Sequence, residues 1–113
     1  AGLKPLAGLQ NLEILSINGT KITDAGLVHL VGLKQLDFLY LHNTKVSDAG
    51  MKHVAKITSL SLLNIQETSV TDVGLRELAT LKELRTVYLY QTKVTDSGMV
   101  EFRKALPNCK VQR

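Results

Sequence analysis

The chain has 113 residues, a formal net charge of +4, 44% hydrophobic and 21% charged residues. That length fits one domain with a core of its own, and the composition gives no reason to expect a disordered chain. Its single cysteine, Cys109, excludes an intramolecular disulfide frame, and no apolar run reaches the length of a membrane-spanning helix.

Lys4, Lys21, Lys34, Lys45, Lys56, Lys82 and Lys93 are spread along the chain, which reads as solubility rather than a clustered nucleic-acid patch. One cysteine and no visible signal peptide are compatible with the cytoplasm without assigning the compartment. The chain starts at Ala1 rather than Met, which fits a processed chain or part of a longer one.

Residues 1–8 open as the tail of a repeating unit, because Gly2-Leu3-Lys4-Pro5-Leu6 echoes Gly26-Leu27-Val28-His29-Leu30. Full units are expected at 9–32, 33–56, 57–80 and 81–104, and 105–113 reads as a truncated last unit with a turn and a short strand. The whole of 1–113 is then a single domain. Thr20, Thr44, Thr68 and Thr92 recur every 24 residues, as do Asp24, Asp48, Asp72 and Asp96, and Gly26, Gly50, Gly74 and Gly98. One unit cannot bury its apolar side alone, so units at a fixed period must stack.

Each unit begins with a strand. Leu12, Leu15 and Ile17 point inward, and the set recurs as Leu36, Leu39, Leu41, as Leu60, Leu63, Ile65 and as Leu84, Val87, Leu89. The threonines follow, where the chain must turn. A hydroxyl both donates and accepts, so a ladder of threonine hydroxyls along the stack is expected. Ile22, Val46, Val70 and Val94 plug the core beside it. Thr23-Asp24, Ser47-Asp48, Thr71-Asp72 and Thr95-Asp96 then start short helices: the hydroxyl caps the first turn and the carboxylate meets the positive helix end. This row of carboxylates is read as capping, not as a metal site.

Glycine inside a first turn costs up to about 1 kcal/mol relative to alanine. Its recurrence at residues 26, 50, 74 and 98 calls for a steric reason, and backbone approaching backbone is expected. Leu27 and Leu30, Met51 and Val54, Leu75 and Leu78, and Met99 and Phe102 form the inner helix face. His29 and His53 fall at equivalent outer positions and read as polar surface rather than a zinc pair.

These units resemble the leucine-rich-repeat family, with its strand signature Leu-x-x-Leu-x-Leu-x-x-Thr. The segment Thr-x-Val-Thr-Asp-x-Gly-Leu is similar to a 24-residue variety common in bacterial proteins and to repeats of F-box-type adaptors. The family usually has Asn or Cys where this chain has Thr20 and its equivalents. The resemblance implies an α/β leucine-rich-repeat solenoid: a curved right-handed stack, a parallel sheet on its concave face and short helices on its convex face. It also implies a recognition scaffold whose partners differ between members.

In such a fold the strand residues that avoid the core line the concave face. They form the columns Ile14, Phe38, Leu62, Thr86, then Ser16, Tyr40, Asn64, Tyr88, then Asn18, His42, Gln66, Tyr90. Glu13, Asp37, Ser61 and Arg85 flank them. The chain has three tyrosines, two phenylalanines and no tryptophan, and Phe38, Tyr40, Tyr88 and Tyr90 all fall on this face. Tyrosine is favoured at interfaces because it buries a large area and keeps a hydroxyl. Aromatics are also good strand formers, which is the competing explanation. The candidate binding residues are Phe38, Tyr40, His42, Leu62, Asn64, Gln66, Arg85, Tyr88 and Tyr90, with a protein or peptide as the partner.

No catalytic motif occurs, and Cys109 is expected to be a buried structural thiol whose strand register is open by one residue. Neither a cofactor nor a metal is called for. Nucleic acid is disfavoured, since Arg85 is the lone concave cation against Glu13, Asp37 and Glu67. Leu3 and Leu6 leave the start of the stack without a polar cap, so self-association or an adjoining repeat or domain there is the alternative. At the other end Arg103, Lys104, Lys110 and Arg113 could form a polar lid.

Overall fold

The computed structural model describes residues 3–113; Ala1 and Gly2, which begin the expected partial unit 1–8, lie outside the described residues. Each repeat contributes one short strand: β1 (Ile14–Ser16), β2 (Phe38–Tyr40), β3 (Leu62–Asn64), β4 (Thr86–Tyr88) and β5 (Lys110–Gln112). All pair in parallel in the order β1-β2-β3-β4-β5. The return segments are helical. Lys4–Gly8 and Asp24–Leu30 are 3-10 helices, followed by α1 (Asp48–Val54), α2 (Asp72–Leu78) and α3 (Asp96–Ala105). The stack measures 38 × 25 × 18 Å.

The expected inward residues make the core. Leu36, Leu39, Leu41, Leu60, Leu63 and Ile65 are fully buried, as are Leu27, Leu30, Met51 and Val54 from the helical side. Phe102 and Met99 close the far end. Leu12, Leu15, Ile17 and Ile22 in the first unit pack on this core but are only partly buried.

The last unit departs from strict period. Leu9, Leu33, Ile57 and Leu81 are 24 apart, whereas Leu106 follows Leu81 by 25. The extra residue sits in α3, which has 10 residues against 7 in α1 and α2. Cys109 N–H donates to Leu106 O at 3.1 Å, as Leu84 N–H does to Leu81 O. Cys109 therefore takes the place of Leu84 and is buried, while Val111 pairs with Val87 and faces the core. This resolves the register that sequence reading left open. Burial pushes the Cys109 thiol up to about 11, so it stays protonated near neutrality.

The threonines form no ladder. Thr20, Thr44, Thr68 and Thr92 each donate the hydroxyl to the carbonyl three residues back in their own unit, at 2.7–2.8 Å. The turns join neighbouring units through backbone instead. Asn43 N–H donates to Gln66 O and Glu67 N–H to Tyr90 O, both at 2.9 Å. The hydroxyl is too short to reach the next unit once its own carbonyl lies beside it.

The repeat-to-repeat ladder is made by aspartate. Asp24 accepts from Ser47 N–H and Oγ at 2.6 and 2.5 Å. Asp48 accepts from Thr71 N–H and Oγ1 at 2.7 and 2.5 Å and from Gly74 N–H at 3.0 Å. Asp72 accepts from Thr95 N–H and Oγ1 at 2.8 and 2.6 Å. The capping hydroxyl thus faces backward to a charge in the preceding unit. Only Thr71 and Thr95 also accept from their own helix, from Val73 N–H and Gly98 N–H; Thr23 and Ser47 make no side-chain cap.

The glycines fit this ladder, and the neighbour they admit is a side chain rather than backbone. A Cβ on Gly74 would lie 2.5 Å from Asp48 Oδ1. Gly50 and Gly98 are crowded in the same way by Asp24 and Asp72. Gly26 has no such neighbour among the described residues; its nearest contact would be Leu3 Cδ1 at 3.6 Å. At the far end Arg113 occupies the Asp96 carboxylate while donating to Val94 O at 3.2 Å. Of the four basic residues expected to form a lid, Arg113 makes this closure.

Candidate binding face

A parallel strand exposes alternate side chains on one side of the sheet. The register aligns Ile14, Phe38, Leu62, Thr86 and Lys110 in one row. Ser16, Tyr40, Asn64, Tyr88 and Gln112 form the next. Between them runs the inward row of Leu15, Leu39, Leu63, Val87 and Val111. Sequence periodicity anticipated the first four members of each row. The fifth member, from β5, was hidden by the one-residue insertion upstream; the 25-residue spacing from Leu81 to Leu106 is the signal that reveals it.

The aromatic side chains are half-exposed. Phe38, Tyr40, Leu62 and Tyr88 sit between buried and exposed, and Tyr90 is 42% exposed. Tyr40 and Tyr88 lie two strands apart, roughly 10 Å at the usual strand spacing, with Asn64 between them. Asn64 Oδ1 accepts from Gln66 N–H at 3.0 Å, so its amide is held by its own strand end. The Tyr90 hydroxyl donates to Gln112 Oε1 at 3.5 Å, a long contact.

Polar side chains frame this surface. His42 Nε2 lies 3.2 Å from Glu67 Oε2, an exposed pair of small energetic weight. Asp37 accepts from Ser61 Oγ. Arg85 is exposed, and β5 adds Lys110 beside it in the sheet, so the expected lone concave cation gains a neighbour. The turns that end β1 to β4 each hold a left-handed residue: Gly19 at φ 69°, Asn43 at 56°, Glu67 at 55° and Gln91 at 57°. Asn18 accepts from His42 N–H at 2.6 Å.

Cavities of about 150 and 180 Å³ lie elsewhere, between α2 and α3 and beneath the Leu106–Cys109 turn. Among the described residues no three His, Cys, Asp or Glu side chains gather to hold a metal ion. No helix among them is long and apolar enough to cross a membrane.

Comparison with known proteins agrees with this geometry. The family model described as Leucine Rich repeats (2 copies) matches residues 4–52. The fold matches internalin C2 of Listeria monocytogenes with a TM-score of 0.80 at 30% identity, covering 96% of this chain and 45% of that one. This chain folds as a leucine-rich-repeat solenoid.

The solenoid also superposes on a Leptospira interrogans leucine-rich-repeat protein, with a TM-score of 0.65, 20% identity, and 97% and 33% of the two chains covered. The actin-binding site 2 of leiomodin-1 matches with a TM-score of 0.71 at 18% identity, covering 88% of this chain and 68% of that one. These two likenesses show the fold alone. The chain spans less than half of the internalin C2 chain. Among curated proteins none matches the sequence.

Proposed function

We propose that the solenoid is an interaction module that holds a protein or peptide against its concave sheet, with Tyr40, Tyr88 and Tyr90 as anchors. The observation that carries this reading is the alignment of two aromatic ridges across an amide floor. The register sets Phe38 and Tyr40 on one strand and Tyr88 two strands away, with Leu62 and Asn64 between them; in this reading His42 extends the first ridge, Tyr90 the second and Gln66 the floor. An extended segment or loop about as wide as one strand fits that gap. Its side chains would stack on the rings, and its backbone amides would meet Asn64 and Gln66. Half-buried tyrosines suit this work because their rings are already partly desolvated and their hydroxyls stay accessible. Arg85 and Lys110 at one corner favour a carboxylate on the ligand there. The reading keeps the likeness to 24-residue bacterial repeats and to F-box-type adaptors, which work as scaffolds.

The test compares wild type with a Tyr40→Ala/Tyr88→Ala/Tyr90→Ala variant in affinity capture from native extract, followed by direct titration of whatever is captured. Circular dichroism first establishes that the variant folds. A Lys52→Ala variant on the convex side is the control. The expected result is binding by wild type and by the convex variant, with at least about a tenfold loss, roughly 1.4 kcal/mol, in the tyrosine variant. Equal binding by all three would remove the concave face from consideration.

A further inference from the structure

Resting on the concave reading above, we infer that the partner is an extended peptide segment of fixed polarity, with a basic side chain, best arginine, over β2 and a carboxylate over β4 and β5. The residues that lead into the strands set this order. Glu13 precedes β1, Asp37 precedes β2, Ser61 precedes β3, Arg85 precedes β4, and β5 opens with Lys110. Their backbones adjoin in that sequence. Asp37 N–H donates to Glu13 O at 2.7 Å, and Ser61 N–H to Asp37 O at 2.9 Å. Arg85 N–H donates to Ser61 O and Lys110 N–H to Arg85 O, both at 2.7 Å. One edge of the sheet therefore runs negative, negative, neutral, positive, positive.

These charges are available to a ligand. The ion pairs among the described residues join His42 to Glu67, Arg76 to Glu101 and Arg113 to Asp96, and use none of the four. Glu13, Arg85 and Lys110 are exposed, and Asp37 is half-buried with the Ser61 hydroxyl donating to it. Each pole also stands at the foot of an aromatic ridge. Asp37 leads into Phe38 and Tyr40, and Arg85 into Thr86 and Tyr88. A guanidinium laid on the β2 rings is attracted by their faces and by the Asp37 carboxylate. A carboxylate beside Tyr88 meets two cations, Arg85 and Lys110, and a phenol that can donate. On β3, between the poles, Ser61, Leu62 and Asn64 bring neither charge nor ring.

Two strand intervals separate Asp37 from Arg85, about 10 Å. That is the reach of about three residues of an extended chain. A uniformly acidic segment would set a carboxylate against Glu13 and Asp37, and a uniformly basic one would set a cation against Arg85 and Lys110. A segment laid the other way round would suffer both repulsions. Like charges so opposed reject the wrong partner and the wrong direction.

The experiment selects short linear peptides from a random displayed library on the full chain and titrates synthetic copies of those enriched. They are titrated against wild type, the Tyr40→Ala/Tyr88→Ala/Tyr90→Ala variant and two charge exchanges, Asp37→Arg/Arg85→Asp and Glu13→Lys/Lys110→Glu. Circular dichroism checks each fold, and the second exchange, at exposed residues, carries the test if the first does not fold. The enriched peptides should hold an arginine or lysine three or four residues from an aspartate or glutamate, always in the same order along the chain. Each charge exchange should weaken them at least about tenfold, and exchanging the two charges within the peptide should restore binding to that variant. Peptides that need the tyrosines but show no charge order, or ignore both exchanges, would overturn this inference and leave the concave reading standing. Peptides held equally by the tyrosine variant would overturn both. Enrichment of uniformly acidic or uniformly basic peptides, or of none, would also overturn the inference, and capture from native extract would still judge the concave face by itself.

Discussion

Asp48 and its equivalents act on a neighbour rather than on their own helix. Three hydrogen bonds converge on Asp48 from Thr71 and Gly74. Hydrogen bonds to a charged group are each worth roughly 1.5–3 kcal/mol, less when shared on one carboxylate. Asp48→Ala should therefore lower stability by about 2–4 kcal/mol in urea unfolding. Gly74→Ala should cost about 1–3 kcal/mol by overpacking against the same carboxylate. A loss of a few tenths from either would mean that the ladder is ornamental. The pH dependence follows from Asp72. The Thr95 hydroxyl and amide beside it hold its carboxyl below the ordinary value. A depressed folded pKa contributes stability that is complete above the unfolded value near 3.9 and is lost as pH falls through the folded one. Wild type should accordingly lose more stability than Asp72→Asn when unfolding is measured from pH 5 down to about pH 3.

At the scale of the element, each strand-to-turn junction demands a left-handed residue. Only the first unit supplies glycine there, at Gly19, while Asn43, Glu67 and Gln91 carry side chains at the same φ. That conformation costs an L-residue roughly 1–2 kcal/mol, and least for Asn. Gln91 is exposed. Gln91→Gly should thus raise stability by about 0.5–1 kcal/mol, the relief of strain less the entropy glycine loses on folding. A fall in the urea midpoint would show that the side chain has a contact of its own. Glu67 is a poorer test because it also meets His42.

Across the whole molecule, stability should be graded along the stack. Leu63 is fully buried between two neighbouring units, whereas its equivalent Leu15 is partly exposed at the edge. Leu63→Ala should cost about 2–5 kcal/mol and Leu15→Ala clearly less. Amides of β1 should exchange faster than those of β3. Equal costs would mean that the first unit is covered in solution. The concave face inherits this gradient: β2, β3 and β4, which carry the aromatic ridges, are each flanked on both sides.

Much of this was legible in the chain itself. The 24-residue period fixes which residues enter the core, because a strand alternates its faces and a helix turn follows at a constant offset. The columns of Tyr40, Asn64 and Tyr88 and of Phe38, Leu62 and Thr86 follow from that period alone. Periodicity names which residues are equivalent but not what lies one unit away. The tertiary structure therefore decided that aspartate rather than threonine carries the ladder, and that glycine makes room for a carboxylate rather than for backbone. It also decided that Cys109 takes a leucine's place and brings Lys110 and Gln112 onto the face, since an insertion absorbed by α3 shifts the phase of everything after it. For the aspartate ladder and the glycines the physical reason is the same. Residues 24 apart in sequence become neighbours only when the units stack, and the hydrogen bonds between them exist in no single unit.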